Sequence, residues 1–483
     1  MTPSPYRYRA LAAKLAEDLR AGRYVPAARL PSVRDLCMEH GASLATVTHA
    51  LHDLEDAGLI EARPRRGFFA SARTQLAATQ PTVSSIELAG RRKRVMELAA
   101  SREGCLSLGH LALPKELLPL PALRRLMTQQ LRADASLLAG GSAYGGVALR
   151  EQLASHSARM GCRFDAEDIV VTHGESESLQ LCLRLLTEPG DFVAVTSPAP
   201  LRALELLASM GLRALEIPAH AEGGLSAPAL AMVLQEHKIA VCLAEPSFYR
   251  VTGHLLSDDA KQALVALLAK HRLPLIECDM MGDLYRGAHR PRPLKAFDHD
   301  EWVLYCGSFA CITGTGFSLG YVASRRYRLQ LRAARAVHGE LLPWLTERVI
   351  AGFMASGSFE RHLRDLRRRL KVQVEELRAA VVAQFPEGTR VSTSEGGYAL
   401  WLELSGDLDA CTLLERARQH GYTFVPGAVF STGTQFDHCM RLTAGHPLNE
   451  ARAKGIRTLG ELAHELIAEH PSLCTPRVSQ IKD

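Results

Sequence analysis

Apolar residues recur at helical spacing along the start of the chain and then alternate as in short strands. The helical spacing predicts a first helix over Tyr6–Ala21, and a second helix is predicted to begin after Ser32. A third helix should begin after Ser43 and end at Gly58. Its inward face consists of Val47, Ala50, Leu51 and Leu54. Two strands around a turn follow, so the pattern predicts three helices and a two-stranded wing.

The opposite face of the third helix carries mostly short side chains, which a DNA major groove can admit. That outer face is predicted to hold Leu44, Ala45, Thr46, Thr48, His49 and His52. The wing carries Arg63, Arg65 and Arg66 just before Gly67, where they suit phosphates or a minor groove. Residues 1–102 hold sixteen Lys and Arg against ten Asp and Glu, although the whole chain has a net charge of only +5. The positive excess therefore lies where a polyanion would bind.

These residues resemble the DNA-binding domain of the GntR family. The family's start of the second helix appears as Leu30-Pro31-Ser32-Val33-Arg34, and its opening of the recognition helix appears as Ser43, Thr46 and Val47. The resemblance implies double-stranded DNA as a partner, with contacts from Arg34, Ser43, Thr46 and the wing around Arg63, Arg65, Arg66 and Gly67. The outer-face residues Thr48 and His49 join this set. The competing interpretation is a three-helix packing module with a solvated basic hairpin.

The remaining pattern divides the chain into further segments. After a DNA-binding domain over 1–72 and a linker over 73–104, short apolar strands alternate with longer helical stretches over 105–470. This alternation predicts an α/β domain with a largely parallel sheet. A long helical stretch and short strands predict a smaller α+β C-terminal subdomain from about residue 354, before a tail over 471–483.

Composition limits the function classes. The chain is 47% hydrophobic and 23% charged, which is ordinary for a globular protein, and no apolar run approaches the ~18 residues of a membrane span. The N-terminus lacks the apolar segment of a signal peptide, so we expect a cytoplasmic protein without a membrane partner. The eleven cysteines include no C-x-x-C pair, which predicts reduced thiols and no metal site. In the linker, the run Arg91–Arg94 either lies along DNA or is a solvated tether.

The order of short motifs in the large domain resembles the fold type I aminotransferases. Together with the N-terminal domain, it resembles the MocR branch of GntR regulators. The motifs are Tyr144-Gly145-Gly146, Thr172-His173-Gly174-Glu175-Ser176, Pro189-Gly190-Asp191, Val251-Thr252-Gly253, Gly307-Ser308-Phe309, Leu319-Gly320-Tyr321, Gly396-Gly397 and Arg441-Leu442. The resemblance implies a multidomain fold, a winged helix-turn-helix plus an aminotransferase-like domain, and a homodimer.

Members of the aminotransferase family hold pyridoxal phosphate as a Schiff base on a lysine. The resemblance places Cys311 at that lysine position and Ser318 at the position of a phosphate-binding arginine. It places Cys278 where an aspartate contacts the ring nitrogen, although Asp279 could still reach it. A vestigial pocket is therefore predicted from Gly174, Glu175, Ser176, Asp279, Ser308 and Cys311. The turn at Gly174 opens a helix, whose free N–H groups suit an anion.

These substitutions predict a domain without transamination activity. We expect no covalent pyridoxal phosphate, whereas non-covalent binding of that cofactor stays open. Arg202 and Arg441 are candidates for holding the carboxylate of a small effector, and structural salt bridges are the alternative role. Cys278, Cys306 and Cys311 either form a thiol sensor or fill space as small buried residues.

The sequence thus predicts a DNA-binding transcription regulator whose aminotransferase-like domain serves dimerisation, effector sensing or both. The alternative function is a pyridoxal phosphate-dependent aminotransferase with an autoregulatory DNA-binding domain.

Overall fold

The chain folds into two compact units, one of Met1–Gln80 with Pro218–Glu222 and one of Pro81–Ile217 with Gly223–Asp483. A computed structural model describes residues 8, 11–12, 14–16, 29–56, 59–63, 67–70, 82–83, 97, 104–219 and 223–469. Several predicted features lie outside the described residues: Ala21, Gly58, Arg65, Arg66, Arg91–Arg94 and the tail over 471–483.

The first unit contains the predicted helices and wing. Its described elements are α1 (Val33–His40), α2 (Leu44–Asp56), β1 (Ile60–Arg63) and β2 (Gly67–Ala70). The strands pair antiparallel, which confirms the predicted hairpin. Described residues of the predicted first helix are helical and contribute to a core that contains Leu11, Leu15, Leu36, Val47, Ala50, Leu51, Leu54 and Ile60.

A capping box explains why α1 begins where it does. The Ser32 hydroxyl accepts a hydrogen bond from the Asp35 backbone N–H at 3.3 Å, and the Asp35 carboxylate accepts one from the Ser32 N–H at 3.1 Å. The two bonds satisfy backbone donors that the first helical turn leaves without partners. The Ser32 hydroxyl also donates to the Asp35 carboxylate at 2.6 Å, and this bond, followed by that from the Ser32 N–H, lowers the pKa of Asp35.

The second unit is built on an eight-stranded sheet. Its strands are β3 (Thr82–Val83), β6 (Ile169–Thr172), β7 (Phe192–Ser197), β8 (Arg213–Pro218), β9 (Ile239–Ala244), β10 (Leu275–Asp279), β11 (Val303–Ser308) and β12 (Gly320–Ala323). The strand order is β3-β8-β7-β9-β10-β11-β12-β6. The central pairs β7–β9, β9–β10 and β10–β11 are parallel, as predicted, whereas β12 runs antiparallel to both β11 and β6.

Helices cover this sheet and connect its strands. They are α3 (Leu120–Ala133), α4 (Val147–Ser157), α5 (Glu175–Leu186), α6 (Leu201–Ser209), α7 (Ala227–Glu236), α8 (Asp258–His271), α9 (Ala310–Thr313), α10 (Arg328–His338) and α11 (Trp344–Ala355). The strands they cover are almost entirely buried and apolar, which is typical of a parallel sheet with both faces covered. None of the described helices combines the length and the apolar character needed to cross a membrane.

A long helix leads into the C-terminal part of this unit. The remaining elements are α12 (Ser358–Gln384), β14 (Arg390–Val391), β15 (Ala399–Glu403), α13 (Ala410–Gln419), β16 (Tyr422–Thr423), β17 (Val425–Pro426), β18 (Cys439–Thr443) and α14 (Glu450–Glu469). Four of these strands form a sheet in the order β14-β15-β18-β17, with antiparallel neighbours. Two short pairs join β4 (Leu106–Ser107) to β16 and β5 (Gly141–Ser142) to β13 (Leu342–Pro343).

The topology gathers the candidate site at one edge of the large sheet. Because β12 is antiparallel to both β6 and β11, those two strands point the same way as the central strands. The carboxyl ends of β6, β9, β10 and β11 therefore lie at a common edge of the sheet. This edge, where α/β sheets characteristically bind ligands, carries Gly174, Glu245, Cys278 and Ser308.

Candidate functional site

The start of the recognition helix α2 is held by two hydroxyl side chains. The Ser43 hydroxyl accepts a hydrogen bond from the Thr46 backbone N–H at 3.3 Å, and the two hydroxyl oxygens lie 2.8 Å apart. Thr46 is only 7% exposed, so the prediction that it lies on the outer face was wrong. Its side chain packs inward in the first helical turn, where it fixes the entry of the helix together with Ser43.

The remaining predicted DNA contacts differ in their exposure. Arg34, Ser43 and His49 are exposed, and the His49 ring stacks edge-on against Tyr8 with the ring centroids 5.2 Å apart. The partly buried Thr48 donates its hydroxyl hydrogen to the Leu44 carbonyl at 2.8 Å, which leaves that oxygen as an acceptor.

The wing is defined by its backbone. Arg63 is the last residue of β1 and pairs with Gly67, the first residue of β2. Gly67 has a φ of +93°, a backbone conformation that favours glycine.

In the second unit, Gly174 forms the turn that precedes helix α5. Its φ is +148°, and a Cβ atom on the facing Gly320 would lie 2.6 Å from the Gly174 carbonyl carbon. The turn therefore requires glycine at both positions. Gly320 also pairs with Ser308 across the β11–β12 ladder, so Ser308 and Gly174 lie on either side of the same residue. Of the predicted pocket residues, Gly174 and Ser308 thus both adjoin Gly320, whereas Ser176 lines a different cavity from Ser308.

An ion cluster that sequence reasoning missed stands beside this turn. The Arg250 guanidinium donates to the Glu175 carboxylate at 2.6 Å and to the Glu245 carboxylate at 3.0 Å, with a second, shorter contact to each. The Glu245 side chain is 6% exposed, and those of Glu175 and Arg250 are 19% exposed. Glu245 follows strand β9 directly, and this position at a strand's carboxyl end could have identified it from the sequence.

Burial and charge act against each other in this cluster. Burial raises the pKa of Glu245, while the neighbouring Arg250 lowers it. Burial alone would lower the pKa of Arg250, but the two carboxylates outweigh it and raise that pKa well above its usual value. Arg250 therefore stays a cation that is matched by two carboxylates.

A cavity of about 300 Å³ adjoins the ion cluster. Its apolar wall comes from Leu179, Ala203, Leu206 and Leu243, and its polar lining includes Ser176, Arg202, Glu205 and Cys278. Arg202 is exposed and donates to the Ser176 hydroxyl at 3.4 Å. The cavity thus lies between the start of α5, helix α6 and the strand ends.

Asp279 does not line this 300 Å³ cavity, but together with Ser308 it lines a separate, smaller cavity. Its carboxylate accepts hydrogen bonds from Arg290 at 2.8 Å, from the Tyr305 hydroxyl at 3.0 Å and from the Gly282 N–H at 3.0 Å. Strand alternation explains the difference, because neighbouring residues of β10 point to opposite faces. Cys278 therefore faces the 300 Å³ cavity.

Of the three thiols around the site, those of Cys278 and Cys306 are buried and that of Cys311 is half-buried. Burial raises the pKa of Cys311, although nearby Arg250 and a hydrogen bond with Tyr398 act in the opposite direction. The pKa values of Cys278 and Cys306 are raised well above the usual range, and the Cys306 sulfur lies 3.9 Å from that of Cys182. Since the thiolate is the reactive form, these raised values favour the space-filling interpretation over a thiol sensor.

Arg441 is a second buried guanidinium close to the ion cluster. It donates to the Arg250 carbonyl at 3.3 Å and to the Gly109 carbonyl at 3.2 Å, while its buried Nε has no hydrogen-bond partner. Burial, followed by repulsion from Arg250, lowers the pKa of Arg441 to about 10. The described residues place no carboxylate within ion-pairing distance of it, so this cation is not locally balanced. Arg202 and Arg441 thus occupy different surroundings.

Comparison with known proteins identifies both units. Residues 7–70 match the family described as "Bacterial regulatory proteins, gntR family". The chain is 31% identical over 469 residues to the HTH-type transcriptional regulator YdcR of Escherichia coli (strain K12), covering 95% of this chain and 99% of that protein. It is also 29% identical over 465 residues to the regulator YjiR of the same organism, covering 95% of this chain and 99% of that protein.

Solved aminotransferases share the fold of the larger unit. A kynurenine aminotransferase from Pyrococcus horikoshii is 25% identical with a TM-score of 0.71, covering 78% of this chain and 94% of that one. The α-aminoadipate aminotransferase LysN of Thermus thermophilus is also 25% identical with a TM-score of 0.71, covering 78% of this chain and 98% of that one. The chain therefore belongs to the GntR family of DNA-binding transcription regulators, in the MocR-like branch that joins a winged helix-turn-helix to a fold type I aminotransferase-like domain.

Proposed function

We propose that this cytoplasmic regulator uses its aminotransferase-like domain to sense a carboxylate-bearing effector and to dimerise, without covalent pyridoxal phosphate. The observation that carries the proposal is the buried cluster of Arg250 between Glu175 and Glu245. This cluster places two carboxylates and a guanidinium at the edge where the family fold would hold a cofactor phosphate and ring.

The residues at the cleft do not fit a Schiff-base cofactor. The thiol of Cys311 cannot form an imine with an aldehyde, and its pKa is raised by burial. Lys295, the nearest lysine in sequence, is engaged elsewhere, with its Nζ 2.9 Å from the Asp298 carboxylate and 2.7 Å from that of Glu301. At the start of α5, Glu175 adds a negative charge where the helix N-terminus would otherwise attract a phosphate.

The same surroundings favour a carboxylate. Arg441 is a buried cation with an unpartnered Nε and a lowered pKa, so a small anion at this position would restore its charge balance. A phosphate ester would additionally have to approach Glu175, whereas a carboxylate bound only at Arg441 would not.

An exposed apolar surface supports the proposed homodimer. Leu138, Val147 and Leu341 are 70%, 57% and 61% exposed, and Trp344 is 39% exposed. Gly140 lies against the Trp344 ring, and the Gly146 N–H donates to Glu347 at 2.8 Å, so these residues surround the β5–β13 pair. Apolar patches of this kind are typical of protein interfaces, and a dimer would present two recognition helices to paired half-sites.

DNA binding is tested by Arg34→Ala in the full-length protein, measured by fluorescence anisotropy on the DNA upstream of its own coding region. Loss of a base or phosphate contact should weaken binding by about 1–3 kcal/mol, which is roughly 5- to 150-fold. If Arg34 contacts a phosphate, the slope of log affinity against log salt concentration should also fall by about 1. The exposed Arg163→Ala in the second unit is the matched control and should bind normally. Equal affinities of the two variants would contradict the assignment of Arg34.

The absence of a Schiff base is tested by incubating the purified protein with pyridoxal phosphate, reducing it with borohydride and mapping modified peptides. We expect no stoichiometric phosphopyridoxyl-lysine, because a thiol cannot form the imine. Stoichiometric labelling of one lysine within 105–470 would support the aminotransferase alternative instead. The unreduced protein should then also show an absorbance band at a longer wavelength than that of its aromatic residues.

The ion cluster is tested by Arg250→Leu, with urea unfolding between pH 5 and pH 8. Removing Arg250 leaves two buried carboxylates unpaired and should cost about 3–5 kcal/mol of unfolding free energy at neutral pH. The pKa of Glu245, already raised by burial, should rise further. A carboxyl group with a raised folded-state pKa favours the folded state at low pH, and that contribution is lost as the pH rises through the folded pKa. The deficit should therefore shrink as the pH falls toward 5.

The matched control for this measurement is the triple variant Arg250→Leu, Glu175→Gln, Glu245→Gln, which removes all three charges. It should recover much of the lost stability, and its remaining deficit should vary little with pH. A pH-independent loss in Arg250→Leu would instead indicate that Arg250 acts through packing alone.

Effector binding is tested by a thermal-shift screen of amino acids, polyamines and pyridoxal phosphate. Ligands with a free carboxylate should raise the unfolding midpoint, because any ligand of the native state stabilises it. Arg441→Met, which replaces an unbalanced buried cation by a side chain of similar length, should fold but lose the shift. Arg163→Met should keep it. A shift retained in Arg441→Met would exclude Arg441 as the carboxylate site.

A further inference from the structure

Glu216 is a buried carboxylate that five donors surround. Its side chain on β8 is 2% exposed, and it accepts hydrogen bonds from Ser431 at 2.8 Å, from Ser197 at 3.0 Å and from Gln435 at 3.5 Å. The Thr432 backbone N–H and hydroxyl donate to it at 2.8 Å and 2.6 Å. No ion pair with a cation is found for it among the described residues, so neutral donors alone stabilise this charge.

Four of these five donors come from the C-terminal part of the chain. Ser431, Thr432 and Gln435 belong to the loop between β17 and β18, here called the 431–435 loop. Within that loop the Ser431 hydroxyl also accepts from Gln435 at 2.7 Å and from the Gly433 N–H at 3.0 Å. The loop is thus folded around the carboxylate, and its conformation depends on Glu216.

The same residue stands opposite the linker to the DNA-binding unit. In the β3–β8 pair, Thr82 is the register partner of Glu216, and Val83 is the partner of Leu215. β3 is the terminal strand of the large sheet, so it covers the edge that β8 would otherwise expose. A two-residue strand forms few hydrogen bonds, and its pairing therefore responds to small changes in β8.

Continuous contacts lead from Glu216 to the cleft. Ser197 ends β7, and two residues later the Ala199 N–H donates to the Phe430 carbonyl at 2.6 Å. Phe430 immediately precedes the 431–435 loop, and the Arg441 guanidinium lies 5.0 Å from the centre of its ring. An anion on Arg441 would therefore act directly on a residue adjacent to the donors of Glu216.

We propose that Glu216 is a coupling residue, which transmits the state of the cleft through the 431–435 loop to the linker strand β3. The mechanism rests on the proposed effector site at Arg441. Movement of the loop removes donors from a buried carboxylate, which cannot remain unsolvated without them. β8 then shifts or admits water, and the pairing of Thr82 and Val83 weakens. Effector binding would thereby alter how firmly the linker is held.

The coupling is tested without any effector, by hydrogen exchange in the full-length protein. The double variant Ser431→Ala, Thr432→Val removes two hydroxyl donors from a loop more than 300 residues away from the linker in sequence. Peptides that contain Thr82–Val83 should exchange about 5- to 30-fold faster, as expected when one or two hydrogen bonds are lost. The exposed Thr434→Ala in the same loop, which removes no donor to Glu216, should leave linker exchange unchanged.

A second variant keeps the test decisive if the double variant loses its fold. Glu216→Gln preserves the side-chain shape but presents an NH2 group to the donors, so it should accelerate exchange in both the 431–435 loop and the linker. Faster exchange in the loop with unchanged exchange in the linker would overturn the proposal. Since neither readout involves Arg441 or DNA, failure of the coupling is distinguishable from failure of the proposed effector site.

Discussion

Desolvation of charge governs the structure around the candidate site of the larger unit. A guanidinium removed from water is strongly destabilising unless carboxylates hold it with good geometry, and Arg250 is held by two. Glu175 stands at the start of α5 and Glu245 at the end of β9, so the cluster joins a helix to the sheet edge. The chain's own side chains thereby fix the shape of the cleft.

The same constraint leaves a residual charge nearby. Two carboxylates balance Arg250, but Arg441 is bound only by backbone carbonyls and is further disfavoured by Arg250. A buried cation without a carboxylate partner lowers the stability of the folded protein. Local destabilisation of this kind is characteristic of binding sites. The imbalance gives the proposed effector a physical basis, because an anion there would gain from a charge that folding leaves unmatched.

Local patterns were sufficient to predict much of this molecule. The capping box at Ser32, the hairpin between Arg63 and Gly67, and the apolar central strands follow from residues close in sequence. Thr46 shows where such local patterns fail. Helical spacing predicts its side chain on the outer face, but the side chain is buried and hydrogen-bonded to the Ser43 hydroxyl. Asp279 is a second such case, since the choice between neighbouring residues of a strand depends on which face meets the cleft.

The sequence could not predict the contacts between Glu216 and the 431–435 loop, and the reason is physical. Glu216 and its donors in the 431–435 loop are more than 200 residues apart, and no spacing rule relates them. Yet a coupling free energy of about 1–3 kcal/mol is enough for allosteric control. One to three hydrogen bonds contribute a net free energy of this size. Because all five donors act on one buried carboxylate, their loss is cooperative rather than gradual. A two-residue linker strand opposite such a residue is therefore sensitive to a change that most of the sheet would absorb.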